Sequence, residues 1–369
     1  MAYGTVIAVL MEESGEDDDE EDDFFILGAC TALLSREKRS RISGYVDMVV
    51  PEYNKTEFRR MFRMSPQTFD ILSGYLENCP ELQKEGTGGK VPVSVRTQLL
   101  LTLWYVGGLD TIIKIADRFG LSESTVILSR TRIIGAILHH LKERFICWPV
   151  NQQDVVTKFV QRNGFPGIIG ALDGTHIRIK APQLHPQSYV NRKNFHSIQL
   201  QAVCNSDMMF THCMAGFPGK CHDARVLKNS DLWDDGLHLC QNNHIIADAA
   251  YPLRRWLLTP YRDNGHLTQE QKNYNYKHSA NRVVIEMAFS LLKGRFRRLQ
   301  NLETNKVETS VNVIMACCVL HNVCLAEEDE IDEFLQEEDG DDNPAPHPVF
   351  IENNGEGLIK RNAIARNLH

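Results

Sequence analysis

No apolar stretch in this 369-residue chain reaches the roughly 18 residues that a bilayer-spanning helix needs, which predicts a soluble protein with no membrane partner. The opening run Val6–Met11 is too short, and too quickly followed by acids, for a secretory signal. Cys-x-x-Cys pairs are also missing. The ten cysteines, at 30, 79, 147, 204, 213, 221, 240, 317, 318 and 324, therefore predict free thiols in a reducing compartment. A zinc site at His212-Cys213 and Cys221-His222 is the alternative, set against a Gly216-Phe-Pro-Gly219 segment that already reads as a turn.

Lys and Arg are wholly absent from two stretches, where ten acids fall within Glu12–Asp23 and eleven within Glu327–Asp342. The net charge of −8 is therefore misleading, because setting those 21 acids aside leaves 27 against 40 Lys+Arg, a remainder of +13. The acidic runs read as solvated tails, and the rest as a basic body suited to a polyanion.

The chain divides by composition. Residues 1–50 read as acidic tail and linker, with a basic run at Arg36–Arg41 that fits nuclear import, phosphate contact or plain surface. Residues 51–150 are helical. Phe58, Phe62, Phe69, Leu72 and Leu76 recur at helical spacing, Ser65-Pro66 marks a fresh start, and Val95–Val106 forms another helix. Ile112–Phe119, Gly120-Leu121 and Ser122–Leu138 then read as helix, tight turn, helix, a helix-turn-helix whose second helix would expose Glu123, Ser124, Ser129, Arg130 and Arg132 to DNA. A purely structural helical subdomain is the alternative.

Residues 151–325 turn strand-rich. Gly167–Ile179, Phe195–Cys204 and Met208–Ala215 predict three strands, followed by a short helix at Asp223–Ser230, a buried strand at His244–Ala247, a polar loop at Thr259–Tyr276 and a long helix at His278–Leu299. Three acids lie in this order: Asp173 and Asp248 in strand-like apolar contexts, and Glu286 within an apolar helix. Each has an ordinary explanation, as a turn Asp-Gly, a helix N-cap near Pro252 and an exposed ion-pair partner respectively. Together they point to hard cations that compensate buried carboxylates, Mg²⁺ or Mn²⁺, and to phosphodiester cleavage by a two-metal mechanism. The layout predicts an α/β, ribonuclease-H-like (DDE) catalytic domain preceded by an all-α helix-turn-helix-type subdomain. Residues 326–369 read as a second acidic tail.

Arg282, Glu286, Ser290, Lys293 and Arg297 share one face of the late helix. Arg192, Lys193, Lys293 and Arg295 are candidate phosphate contacts, as are Arg130 and Arg132 in the helical region. His222 and Asp223 would orient a metal-bound water or cap the short helix, and His176 would assist proton transfer or make a structural hydrogen bond.

Five ordered motifs carry a resemblance: Gly170-Ala-Leu-Asp-Gly-Thr-His-Ile177, Tyr189-Val-Asn-Arg-Lys-Asn-Phe-His-Ser197, Gly216-Phe-Pro-Gly-Lys-Cys-His-Asp-Ala-Arg-Val-Leu227, Ala247-Asp-Ala-Ala-Tyr-Pro-Leu253 and Arg282-Val-Val-Ile-Glu-Met-Ala-Phe-Ser-Leu-Leu-Lys-Gly-Arg-Phe296. With Cys317-Cys-Val-Leu-His-Asn-Val-Cys324 they resemble the PIF/Harbinger superfamily of transposases, most of all its transposase-derived nucleases, over roughly residues 50–325. The resemblance implies an Asp173, Asp248, Glu286 triad, strand transfer as a second use of the same geometry, a nuclear location with some protein in the cytoplasm, and a Myb-like DNA-binding partner. Ala-Asp-Ala-Ala-Tyr-Pro and Phe289-Ser290 depart from the family's Gly-Asp-Ser-Gly-Tyr-Pro and Phe-Gly, beside the acids rather than at them. A catalytically silent protein that binds DNA or a partner, and an RNA-cleaving enzyme, are the alternative functions.

Overall fold

The computed structural model describes residues 40–83, 92–329, 334 and 354–368, and in it several helices begin where a capping side chain precedes them. The acidic run at 12–23, most of the basic run at 36–41 and most of the run at 327–342 lie outside the described residues. From Ile42 onward the chain forms one unit.

Asn54 and Glu57 close a capping box on α1 (Lys55–Phe62), and Ser65 caps α2 (Pro66–Glu77), which has Pro in its first turn. Ser94 caps α3 (Val95–Gly107). Next come α4 (Ile112–Arg118) and α5 (Glu123–His140), the latter capped by Ser122. The turn between them rests on Gly120 at φ +66°, where an added Cβ would stand 2.6 Å from the Ile42 carbonyl oxygen. After a single helical turn at Lys142–Phe145 comes α6 (Gln152–Asn163), stopped by Gly164 in the left-handed region.

The sheet follows: β1 (Ile168–Arg178), β2 (Ser197–Cys204), β3 (Phe210–Pro218), β4 (His244–Ile246) and β5 (Leu257–Leu258), in the order β3-β2-β1-β4-β5. β1–β2 and β2–β3 are antiparallel, while β1–β4 and β4–β5 are parallel. α7 (Asp223–Lys228) and α8 (Asp231–Cys240) form the crossover to β4. The remaining helices are α9 (Gln269–Arg295), α10 (Val307–Ala326) and α11 (Gly355–Asn367). α6 and α9 pack on β1, and α10 packs on β3. Every residue of β2 is buried as a result, including Gln199 and Gln201.

Several expectations change. α9 begins nine residues before His278, because Thr268 and Gln271 form a capping box that starts the helix inside the segment expected to be loop. α10 is long and apolar enough to cross a membrane by length and composition, yet 72% of that window is buried within the fold. Its Cys-Cys-Val-Leu-His-Asn-Val-Cys segment works as packing and as a splice. Asn322 accepts from the Phe210 N–H at 2.8 Å and donates to the Phe210 and Phe145 carbonyls at 2.7 Å, so it ties α10 to β3 and to the end of the helical region. Gly355–Asn367, expected as tail, instead form α11 against α9 and β5, where Arg361 lies over the Tyr261 ring at 4.1 Å. Asp329 leaves the acidic run for the interior, accepting from the Ser65 N–H and facing Arg295 at 3.7 Å.

The helical region and the sheet share one hydrophobic core, with Phe62, Leu99, Ile133, Ile169 and Leu200 all at 0% exposure. Cations from α9 and the turn after it bind the two together. Arg295 donates to the Arg63 carbonyl at 2.7 Å, and Arg298 donates to the Tyr105 and Asp110 carbonyls.

Candidate active site

Sheet register brings the first two acids together. Ala171 of β1 pairs with Ile246 of β4 in parallel register, and Asp173 and Asp248 each lie two residues beyond that pair. On adjacent parallel strands two residues of advance keep the same face. Asp173 sits mid-strand opposite Ala202 of β2, so it is no turn residue. Asp248 closes an Asx-type turn in which its carboxylate accepts from the Ala250 N–H at 2.9 Å, and no helix follows at Pro252 to be capped.

Glu286 joins them through a residue that sequence reading left without a role. Arg282, one turn earlier on α9, donates to Asp173 Oδ2 at 2.7 Å and faces Glu286 Oε1 at 2.5 Å. Its single guanidinium thus spans the acid of β1 and the acid of α9. Spacing of four on one helical face was the available signal. About two turns beyond Glu286, Lys293 Nζ donates to Thr175 Oγ1 at 2.6 Å, placing a second cation beside β1.

Burial sets the electrostatics. Desolvation pushes the Asp173 carboxyl up to about 7; Arg282 and the Gly174 N–H oppose the rise, while Asp248 and Asp223 add to it. Burial likewise raises Asp248, against hydrogen bonds from the Ala250 and Tyr251 amides and the charge of Arg282. Burial pulls the Arg282 guanidinium down, but Asp173, Glu286 and Asp248 outweigh it and leave the group raised. The site therefore holds more negative charge than its cations balance.

Asp223 stands at the same wall. Its carboxylate accepts from Gln199 Nε2, and its carbonyl accepts from Gln201 Nε2, which also donates to Tyr251 Oη at 3.0 Å. His222 is exposed and takes a hydrogen bond from Arg192 Nη2 at 3.0 Å on Nδ1, while Lys193 is exposed on the same loop. His176 Nδ1 lies 3.1 Å from Ser197 Oγ.

Two predicted phosphate contacts are corrected. Arg295 is 0% exposed, bound to the Arg63 carbonyl and paired with Asp329, with its guanidinium over Phe334. Arg130 is also buried, its guanidinium 4.4 Å from the Tyr105 ring centroid, and Ser129 is buried beside it. The exposed face of α5 carries Glu123, Ser124, Ile127 and Leu128, with Arg132 half-buried. Near the zinc alternative, His212 Nε2 is taken by Asp231 at 2.8 Å. Among the described residues, the His, Cys, Asp and Glu side chains whose ligand atoms all meet within 4.8 Å are Cys79, Glu81 and His140 in the helical region. The three acids are held further apart, with Arg282 between two of them.

Residues 172–322 match the family model of the DDE superfamily endonucleases. Protein ALP1-like of Arabidopsis thaliana is 30% identical over 302 residues, covering 74% of this chain and 71% of the relative. The human protein named "Putative nuclease HARBI1" is 33% identical over 247 residues, 63% of this chain and 68% of its own. The Arabidopsis thaliana protein named Antagonist of Like Heterochromatin Protein 1 is 26% identical over 320 residues, 78% of this chain and 77% of its own. No solved structure matches the chain.

Proposed function

Because the chain belongs to the family of Harbinger-transposase-derived nucleases, we propose that it is a divalent-metal-dependent DNA endonuclease that hydrolyses phosphodiester bonds with Asp173, Asp248 and Glu286. The observation that carries this reading is that Arg282 ties Asp173 of β1 to Glu286 of α9, while the β1–β4 register sets Asp248, just past β4, alongside Asp173. The sheet order and the crossover through α7 and α8 support a ribonuclease-H-like arrangement, with α1–α5 as the helix-turn-helix-type part.

The site fits a hard cation. Its donors are carboxylate oxygens throughout, its negative charge exceeds that of its cations, and the buried Oε1 atoms of Gln199 and Gln201 find no hydrogen-bond partner in the protein. Asp173, Asp248 and Glu286 would hold Mg²⁺ or Mn²⁺. When bound, that ion supplies Lewis-acid stabilisation and water activation at the phosphodiester. Arg282 holds Asp173 and Glu286 in register and opposes the rise that burial imposes on the Asp173 carboxyl. Arg192, braced on His222, and the exposed Lys193 meet the DNA backbone from one side, and Lys293, fixed on Thr175, meets it from the other.

One observation favours the second reading, a protein that binds DNA or a partner without cutting: the Arg282 guanidinium already compensates two of the acids. Nicking of supercoiled plasmid separates the two. The wild type should nick with Mg²⁺ or Mn²⁺ and stop with EDTA, and Glu286→Gln should lose at least a hundredfold while staying folded. DNA binding without metal-dependent nicking by the wild type would establish the silent reading, and preference for the RNA strand of a hybrid would establish the RNA-cleaving one. We extend the proposal to a nuclear and partly cytoplasmic location with a Myb-like partner, to be checked by imaging the tagged full chain with and without such a protein.

A further inference from the structure

Asp223 opens α7, and its carboxylate is turned onto the strands that carry the site. It accepts from Gln199 of β2, and a Cβ added at Gly174 would stand 2.6 Å from its Oδ1. Glycine at 174, next in the strand to Asp173, is what leaves room for this carboxylate against β1, and its charge is felt at Asp173. Gln201, directly opposite Gly174 in the β1–β2 register, holds the Asp223 carbonyl and Tyr251 Oη. Gln199 is 2% exposed and Gln201 is 0% exposed, yet neither Oε1 has a hydrogen-bond partner in the protein. An orphaned buried acceptor costs about 1–3 kcal/mol. Two of them side by side, on the strand that braces an acid, mark a wall built to meet hydrogen-bond donors.

We propose that Asp223 is a fourth acid of the site, aimed past Gly174 by Gln199 and Gln201 so that it shares in holding an oxygen-preferring divalent cation, with the two orphaned amide oxygens accepting hydrogens from the cation's waters. This rests on the metal reading above.

The test is Mn²⁺ titration of the full chain, followed by calorimetry and by thermal shift over an EDTA baseline. Asp223→Asn, which keeps the shape and an acceptor for Gln199, should weaken Mn²⁺ affinity at least tenfold, with little change in the EDTA melting temperature. Gly174→Ala should weaken it comparably without touching an acid, because its Cβ displaces the Asp223 carboxylate. Gln199→Leu should remove both the brace and an orphaned acceptor and weaken it too. If Asp223→Asn lowers the EDTA melting temperature while Mn²⁺ affinity stays at the wild-type value, Asp223 merely anchors α7 and the proposal falls. Should Asp223→Asn not fold, wild-type affinity in Gly174→Ala overturns it equally. A wild type that binds no Mn²⁺ overturns the metal reading together with this one, whereas tight wild-type binding with unaffected variants overturns this one alone.

Discussion

Neutralising Asp173 should make the metal-free protein more stable at alkaline pH. Its carboxyl is shifted from 3.8 to about 7, so the folded chain binds a proton that the unfolded chain has released. Stability contributed by the protonated group is fully present below about pH 3.8, declines as pH rises toward about 7, and is then flat. At about 1.4 kcal/mol per pH unit, the ionised carboxylate costs the fold about 4 kcal/mol at pH 8. Asp173→Asn removes that cost. It also surrenders something, because one carboxylate oxygen accepts from the Gly174 N–H and the other from Arg282, and an amide serves only one of them as acceptor. That loss is about 1–2 kcal/mol. Burial wins at pH 8, for a net gain of about 2–3 kcal/mol, or roughly 5 °C at this size. At pH 5 the carboxylate costs only about 1–2 kcal/mol, similar to the lost hydrogen bond, so the two proteins should melt together. Melting in EDTA between pH 5 and pH 8 checks this, and Mn²⁺ should then raise the wild type and leave the variant unmoved. A variant less stable than wild type at pH 8, or a difference that does not depend on pH, would refute the electrostatic account.

The buried Arg295 should be a stability residue: Arg295→Met strands Asp329 and should cost about 3–5 kcal/mol in urea unfolding, most of it regained when Asp329→Leu is added. Gly120→Ala, at φ +66° and against the Ile42 carbonyl, should cost about 1–3 kcal/mol, measured by thermal melting, because the α4–α5 turn has nowhere to put a methyl group. Arg192→Gln should lower the salt slope of DNA affinity by about 1, while Arg130→Gln should leave that slope unchanged and lower the melting temperature, the reverse of what a phosphate-contacting Arg130 would do.

How much of this was readable from sequence depends on which interactions are local. Strand alternation placed β1 and β2, and the same local reading put Asp173 on a strand, Asp248 just past one and Glu286 on the late helix, because these follow from backbone period and neighbouring side chains. Helical period could have gone further. Lys293 lies seven residues after Glu286, about 700° around the helix and so nearly on the same face, whereas Arg295 lies nine residues after, about 900° and so on the opposite one. That half-turn sends Lys293 to Thr175 and Arg295 to the carbonyl of Arg63. Arg130 was not separable in this way, since its burial depends on Tyr105 of another helix. α11 was hidden for a similar reason: its anchors, Leu253, Tyr261 and Asn273, lie about a hundred residues away. The meeting of Asp223 with Gly174 is the plainest case. A glycine after an aspartate reads as a turn, but here it is an opening in a continuous strand, visible only once β2 and α7 close on it. What local pattern does convey is cost. Acids that burial penalises need compensation, and Arg282 meets that need only in part, leaving the site under a charge strain that a divalent cation would relieve.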